Sequence, residues 1–378
     1  MKNKWVYSYA QVMRFITILG LSAIIFTEIL GKTLIKNANV FDQLSYILTF
    51  TLILVCILNF LFVDKTRQKE KIYSLILLII FLGIRAFWIH NVVWFALSFA
   101  FFAWFLSIRQ FIFSYFIGGM LGLVIISILL LFKIVPVSHE GLITLGFGNP
   151  NTVGFILFVN IVSAIYLYYS RNEVIVTFAF LIVEFVQYFV LRNKTATILL
   201  LLFFIFQLKN KKRTLATFES KLKTILPIVL LFSSVYMAIN YSSSAILQKL
   251  NSFLSYRISL WHYYVTNYGF HLLPSNVSDL ESRPLDGAFM YYLIYYGWLE
   301  VILIALIICV ALRKLRNYKL HLLLIYFIIY AFMESTPFDS SVCYLLPICF
   351  YVAEYSIFSR GREYEKSNTE EHLLCLVR

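Results

Sequence analysis

Long apolar runs separated by short polar stretches recur along almost the whole chain. Most of them approach the roughly 17 to 25 residues that a helix needs to cross a hydrocarbon layer of about 30 Å. The alternation of apolar and polar residues that a transmembrane β-barrel requires is not found. The pattern therefore predicts about twelve membrane-spanning helices. Their expected positions are 15–33, 44–63, 72–89, 91–108, 111–135, 152–170, 174–191, 195–208, 225–240, 288–312, 320–333 and 341–358.

The composition agrees with a membrane location. Hydrophobic residues make up 61% of the 378 residues and charged residues only 13%, and the mean hydropathy is +0.82. A soluble domain of ordinary composition does not need so much apolar surface, so the missing solvent must be lipid. The sequence predicts an all-α, polytopic helix bundle over residues 1–359, followed by a cytoplasmic tail at 360–378.

The net charge of +13 is explained by topology. Most of the Lys and Arg residues lie in the short connections between the predicted spans. Four basic clusters fall on one side, at 64–71, 209–213, 313–319 and 360–366. By the positive-inside rule this side is the cytoplasm, which places both termini there. Nucleic acid is therefore not an expected partner.

This orientation sends two long hydrophilic segments to the outer face, 136–151 and the large loop 241–287. The second carries apolar residues at three- and four-residue steps, which predict an amphipathic helix lying against the membrane or the bundle. That stripe consists of Leu247, Leu250, Leu254, Ile258, Trp261 and Val265. It contains the stretch SYRISLWHYY (255–264), in which Arg257 and His262 would lie about 140° apart around the helix axis.

Arg257 and His262 are the first candidates for chemistry. Few cations remain on the predicted outer face, and the planar, permanently charged guanidinium of Arg257 suits a diphosphate. The alternative is anchoring at the membrane interface, where Arg, Trp and Tyr are all common, and this alternative is stronger for His262.

Arg192 and Lys194 lie in a very short predicted outer turn and could form a second cationic clamp for the same anion. Their alternative role is snorkelling to the interface. Arg85 lies inside a predicted span, where a charge is costly and usually faces a polar cavity, although it too is close enough to the helix end to snorkel.

Asp286 begins the span that follows the large loop. A carboxylate there could accept a proton from a sugar hydroxyl, or it could cap the helix. His139 and Glu140, in the other outer segment, are weaker candidates for the same role. The acidic triplet DLE at 279–281 is too short a signal to predict a metal site, and no cofactor is expected.

Three stretches together resemble a known family. They are GNPNTVGFIL (148–157), RNKTATILLL (192–201) and the segment 255–297, in which an Arg followed by an Ile-x-x-Trp run is closed by an acid entering an aromatic span with Gly297. This order resembles the Wzy-type polysaccharide polymerases and the related O-antigen ligases, membrane glycosyltransferases of one superfamily. Asp286 stands where ligases commonly have His, which favours a polymerase. Asn193 and Lys194 stand where Ser-Arg is common.

The resemblance implies a GT-C-like bundle that joins undecaprenyl-diphosphate-linked repeat units into a capsule, O-antigen or exopolysaccharide. It implies inverting transfer at the outer face of the bacterial cytoplasmic membrane, without a metal or other cofactor. The expected diphosphate contacts are Arg257, Arg192, Lys194 and Arg85. Asp286 is the expected proton acceptor, with His262 second.

The partners expected from the resemblance are the lipid-linked oligosaccharide, membrane lipid and possible flippase and chain-length regulator proteins. An O-antigen ligase and a flippase or other multi-span transporter are the alternative functions. A transporter would usually have short loops and a two-halved organisation. The long 241–287 loop therefore favours an enzyme.

Overall fold

The protein is a helix bundle in a computed structural model. The structure describes residues 2–62, 68–87, 92–209, 217–275, 277, 285–315 and 317–358. Apart from one small hairpin, the regular structure of these residues is helical, which confirms the predicted all-α class.

The helices in the first half of the described chain are joined by short connections, one of which contains the hairpin. They are α1 (Lys2–Gly31), α2 (Asn39–Phe62), α3 (Gln68–Phe87), α4 (Val92–Ala103), α5 (Ile108–Leu131), α6 (Pro150–Tyr168), α7 (Glu173–Phe185) and α8 (Lys194–Lys209). Helix α7 continues into a π-helical turn at Val186–Val190.

The second half of the described chain contains several shorter helices. They are α9 (Thr217–Asn240), α10 (Ala245–Phe253), α11 (Arg257–Tyr268), α12 (Ala288–Tyr296), α13 (Trp298–Lys314), α14 (Tyr318–Met333) and α15 (Leu345–Phe358). A single 3-10 turn, Thr336–Phe338, follows α14.

Membrane character is supported by helix length and composition. Within the described residues, six helices are long and apolar enough to cross a membrane: Gln11–Gly31, Asn39–Leu61, Ile108–Leu131, Pro150–Tyr168, Glu173–Val190 and Lys223–Asn240. Four shorter apolar helical segments overlap other predicted spans: Lys71–Ile80, Lys194–Phe206, Tyr318–Met333 and Leu345–Ser356. Large side chains such as Phe178 and Leu181 on α7 are exposed, as expected for a helix that faces lipid. The count of about twelve spans stays a prediction.

Two deeply buried helices, α6 and α14, pack through aromatic rings. The Tyr330 ring of α14 lies 4.9 Å from the Phe155 ring and 5.0 Å from the Phe158 ring of α6. Phe327, one turn earlier, lies edge-on to Phe158 and to Tyr344. Such ring pairs add specific geometry to apolar burial. They fix the start of α6 relative to the end of α14, where the candidate site lies.

The segment 136–151 is partly ordered by a hairpin of two short antiparallel strands, β1 (Ser138–His139) and β2 (Leu142–Ile143). Glu140 and Gly141 turn the chain with φ values of 50° and 79°. The end of this segment is attached to the end of α1, because the Leu34 amide donates to the Gly146 carbonyl over 2.8 Å. This bond brings residues 148–151 close to the end of α1.

The prediction of one continuous amphipathic helix over 247–265 is wrong, because two separate helices, α10 and α11, occupy this stretch. Ser255 and Tyr256 between them have φ values of 56° and 64°. Left-handed backbone cannot continue an α-helix. The spacing of the stripe did not reveal this break, since no Gly or Pro marks it.

The single span predicted over 288–312 is also divided, into α12 and α13, at Gly297. This residue has a φ of 85°, and a Cβ there would lie 2.7 Å from the Leu272 carbonyl oxygen. The same stretch caps the new helix, because the Trp298 amide donates to the His271 carbonyl over 2.9 Å. Part of the 241–287 segment therefore packs against the helix break.

Candidate functional site

Arg257 is buried between two carboxylates. Its Nη2 donates a hydrogen bond to Glu334 Oε1 and lies 3.5 Å from Asp286 Oδ2. Its Nη1 donates to the Leu254 carbonyl over 3.4 Å. The side chains of Arg257, Asp286 and Glu334, named the acid–arginine cluster below, are 8%, 31% and 3% exposed. Asp286 is thus the member that is most open to solvent.

Local backbone features place Arg257 and Asp286 in this cluster. Tyr256, in left-handed conformation, precedes α11 and makes Arg257 its first residue. The buried Trp261, one turn later, donates from Nε1 to the Asp286 carbonyl over 2.6 Å. Gly287, with a φ of 88°, lets the chain pass the Trp261 ring, which a Cβ would meet at 3.0 Å. The Ile-x-x-Trp run therefore positions Asp286.

Glu334 is the C-cap of α14, directly after its last residue Met333. Its carbonyl accepts a hydrogen bond from the Ala288 amide over 3.0 Å, which ties it to the start of α12. Its Oε2 accepts from Asn151 Nδ2 over 3.3 Å, at the start of α6. Asn149 caps α6, since its Oδ1 accepts from the Asn151 amide over 2.8 Å. The helix begins at Pro150, two residues before the span predicted at 152–170.

The turn between α7 and α8 approaches the acid–arginine cluster through Asn193. This buried side chain lies with Nδ2 3.5 Å from the Tyr330 hydroxyl, one helical turn before Glu334. Its Oδ1 caps α8 by accepting from the Ala196 amide over 3.0 Å. Arg192, with a φ of 54°, and Lys194 are both exposed on either side of it. Neither cation pairs with an acid among the described residues, and their predicted role stays a prediction.

The remaining predicted residues lie elsewhere or are not described. His262 Nδ1 lies 2.8 Å from the Ala238 carbonyl, and its ring packs 5.6 Å from that of Tyr241, so it links α11 to the end of α9. Among the described residues, its ring contacts the Ala238 carbonyl and Tyr241 rather than a member of the acid–arginine cluster. The side chain of Arg85 and the triplet 279–281 lie outside the described residues. Asp286 is not the helix cap considered from the sequence, because Gly287 occupies that position.

The two carboxyls of the cluster bind protons more tightly than free acids do. Burial, followed by the nearby Asp286 carboxylate, raises the pKa of Glu334 to about 8, although Arg257 and its hydrogen bond oppose the shift. Burial also raises the pKa of Asp286, against the attraction of Arg257. Two acids that share one cation do not both ionise easily. Near neutral pH, the cluster can therefore accept or hold one proton.

A second ion pair lies a short distance along the chain. Lys32 Nζ, just after α1, lies 2.7 Å from Asp339 Oδ2. Burial raises the pKa of Asp339, but the Lys32 ammonium and hydrogen bonds from Ser341 outweigh it and hold the pKa below its ordinary value. The pair borders a cavity of about 450 Å³. The 3-10 turn Thr336–Phe338 connects this cavity to Glu334.

Sequence reasoning missed Glu334, Lys32 and Asp339. Glu334 and Asp339 flank the connection STPF after an apolar run, and Lys32 ends another such run. Acids and cations at the ends of apolar helices are usually solvated, so no local sequence pattern distinguishes these three site residues from solvated surface charges. The signal that could have found them is their predicted location on one side of the bundle, together with Arg257.

The arrangement can bind an anion through a buried guanidinium and accept a proton at an adjacent carboxylate. The described residues contain no group of three His, Cys, Asp or Glu that could hold a metal ion, and the expectation of metal-independent chemistry stays a prediction. Comparisons of the chain with known protein families, with curated proteins and with solved structures find no match.

Proposed function

We propose that the protein is a polysaccharide polymerase that joins undecaprenyl-diphosphate-linked repeat units by inverting glycosyl transfer. The observation that carries this proposal is the convergence of the three stretches that resemble the Wzy-type family. Asn151 from the first and Arg257 from the third both bond Glu334. Asn193 from the second lies against Tyr330, on the same helix end.

Arg257 would contact the departing diphosphate. Negative charge grows on this group as its bond to the sugar breaks, so a fixed cation in a dry site stabilises the transition state more than the ground state. One such contact contributes about 3 kcal/mol. The buried Nε of Arg257 has no hydrogen-bond partner among the described residues, which leaves a donor for a ligand. Arg192 and Lys194, exposed in the adjoining turn, would supply further positive charge.

The reaction needs one proton acceptor. The hydroxyl oxygen of the acceptor sugar forms a bond to the anomeric carbon of the donor, and the bond from that carbon to the diphosphate oxygen breaks. The hydroxyl proton passes to the Asp286 carboxylate, the most exposed member of the acid–arginine cluster. Glu334 shares the charge of Arg257 with Asp286 and sets how easily that carboxylate ionises. His262 is the second choice for the proton acceptor.

The proposed topology follows from the charge pattern. About twelve spans and a cytoplasmic location for both termini would place Arg257, Asp286 and Glu334 at the outer face of a bacterial cytoplasmic membrane. The 241–287 segment would be the large outer loop of a GT-C-like enzyme. Lipid-linked repeat units are available at that face after translocation, and a flippase and a chain-length regulator are the proposed protein partners.

The test is reconstitution of the full chain with one lipid-linked repeat unit. A ladder of products, each longer by one repeat, is expected from wild type. Asp286→Asn should abolish the ladder while leaving the folded protein intact, and Glu173→Gln, at an exposed position at the start of α7, provides an acid-to-amide control. Movement of the substrate across the bilayer without any ladder would refute the polymerase proposal and support a flippase. Transfer of the glycan to another lipid acceptor would identify a ligase.

A further inference from the structure

The cavity beside the Lys32–Asp339 pair has no role in the proposed chemical step. Its volume of about 450 Å³ lies within the range of small-molecule binding sites. The wall is built from four separate parts of the chain, which meet because α1 and α14 end close to where α6 and α12 begin. The lining includes Lys32, Asn149, Thr152, Tyr291, Tyr292 and Asp339.

The two charged side chains that line this cavity cancel, and Glu28 and Asp42 add negative charge near Lys32. Lys32 and Asp339 form a close pair, and the Asp339 carboxylate also accepts hydrogen bonds from the Ser341 amide and hydroxyl. An anionic ligand would have to displace Asp339 from Lys32, and a cationic ligand would have to displace Lys32. A neutral ligand can use both groups as they stand, because the ammonium retains donors and the carboxylate retains lone pairs.

The other lining groups select for hydroxyl groups on an apolar ring. Asn149, Thr152 and Thr336 offer amide and hydroxyl groups that both donate and accept. Ser340 Oγ, in the same wall, has no hydrogen-bond partner among the described residues. The rings of Tyr291 and Tyr292, 5.1 Å apart, provide an amphipathic aromatic surface with hydroxyl ends.

We infer that the Lys32–Asp339 cavity is a binding site for a neutral sugar unit of the glycan. This inference rests on the proposed function in one respect only, the source of the sugar; binding itself requires no turnover. Because the turn Thr336–Phe338 joins the cavity to Glu334, the bound sugar would be a neighbour of the reacting one in the acceptor or the donor. Acidic sugars should be excluded by Asp339.

The experiment is saturation-transfer NMR on the full chain in lipid nanodiscs, without any diphosphate. The probes are the methyl glycosides of glucose, galactose, N-acetylglucosamine and rhamnose, with glucuronic acid as the acidic comparison. At least one neutral probe is expected to bind, and glucuronic acid to bind about tenfold more weakly or not at all. Thr152→Trp should fill the cavity and weaken the neutral probe by about tenfold or more.

Two further variants make the result decisive. Thr336→Trp enters the same cavity from another element and should have the same effect even if Thr152→Trp disturbs folding. Thr266→Trp, on an exposed position of α11, should leave binding unchanged. Binding of no neutral probe, preference for glucuronic acid, or equal binding by wild type and both cavity variants would each overturn the inference. If sugars bind as expected but no glycan ladder forms, the polymerase proposal fails and the sugar site stands.

Discussion

Arg257 and Glu334 are 77 positions apart in the sequence, yet Arg257 Nη2 donates a hydrogen bond to Glu334 Oε1 at the buried junction of α11 and α14. This bond changes how Arg257 can bind an anion. A free surface cation would bind an anion by simple attraction, whereas Arg257 is already held in place by Glu334 and Asp286. An anionic substrate meets a preorganised guanidinium and must compete with the two carboxylates for it.

Replacement of Arg257 separates its charge from its geometry. Arg257→Lys keeps a cation but loses the planar guanidinium, whose Nη2 contacts both carboxylates while its Nη1 donates to the Leu254 carbonyl. We therefore expect at least a hundredfold loss of glycan polymerisation with modest loss of stability. Arg257→Ala leaves the buried Glu334 and the half-buried Asp286 without a cation and should destabilise the protein by about 3 kcal/mol or more. The measurements are the product ladder and thermal unfolding of the full chain in nanodiscs.

The matched control is Arg171→Ala, at an exposed position in the turn after α6. Its effect on stability should be below about 0.5 kcal/mol and its ladder should be normal. Full polymerisation by Arg257→Lys would show that the guanidinium geometry is unimportant. Unchanged stability of Arg257→Ala would contradict the buried pairing.

Glu334 should make the stability of the protein depend on pH. Its pKa is about 8 in the folded chain and about 4.5 when the acid is free. At a pH between these two values, Glu334 is protonated in the folded protein and ionised in the unfolded chain. The free energy of unfolding should therefore fall as pH rises from about 5 to 8. Glu334→Gln removes the titrating carboxyl at this position. The difference in unfolding temperature between this variant and wild type should therefore change as pH rises from about 5 to 8.

Glu140→Gln provides the comparison for this titration. Glu140 lies at the hairpin with an 81% exposed side chain, so its removal should leave the pH dependence of unfolding as in wild type. If Glu334→Gln also follows the wild-type curve at every pH between 5 and 9, Glu334 does not carry the raised pKa.

Part of the candidate site could be predicted from the sequence. Arg257 drew attention because few cations remain on the predicted outer face and a guanidinium suits a diphosphate, and Asp286 because its carboxylate begins the span after the large loop. Their separate prediction required no knowledge of the fold. Their contact could not be predicted without the fold, because it depends on the hydrogen bond by which Trp261 holds the Asp286 backbone. The spacing of residues along the sequence does not reveal such a tertiary contact.

Other features could not be predicted because they depend on backbone strain and on distant partners. Apolar spacing correctly located most helices but extended through Ser255 and Tyr256, where left-handed φ values divide the helix. Only the surrounding contacts can hold non-glycine residues in that region. Glu334 could not be predicted as a site residue for a related reason, since its partners Asn151 and Arg257 come from two different parts of the chain.

Trp261 should act on the site through Asp286. Trp261→Phe keeps a buried ring but removes the indole hydrogen bond to the Asp286 carbonyl, which should cost about 1 to 3 kcal/mol of stability, because the carbonyl loses its donor. We also expect slower polymerisation at unchanged substrate affinity, since the base is positioned less well. Single-turnover rates and unfolding temperatures measure the two effects.

Trp298→Phe is the control for Trp261→Phe. Trp298 packs against Phe232 and Phe270 through its ring, so the same change of ring tests packing alone. Its effect on the polymerisation rate should be small. Equal loss of rate in both variants would mean that ring size, not the hydrogen bond to Asp286, is responsible.

Gly287 should be required both for stability and for the position of Asp286. Its φ is 88°, and a Cβ would lie 3.0 Å from both the Phe332 carbonyl oxygen and the Trp261 ring. Gly287→Ala therefore adds steric contact to backbone strain, and we expect a loss of about 2 to 4 kcal/mol together with a large loss of polymerisation. Thermal unfolding and the glycan ladder test these expectations.

Gly269→Ala distinguishes contact from strain, because Gly269 also has a positive φ, 71°, but no atom lies within 4 Å of a Cβ built there. This variant should lose only the strain energy, about 1 to 3 kcal/mol, and retain its polymerisation rate. If the two variants lose the same stability and the same activity, the close passage of Gly287 beside Trp261 has no special importance. If only Gly287→Ala loses activity, the turn that carries Asp286 past Trp261 positions the proton acceptor.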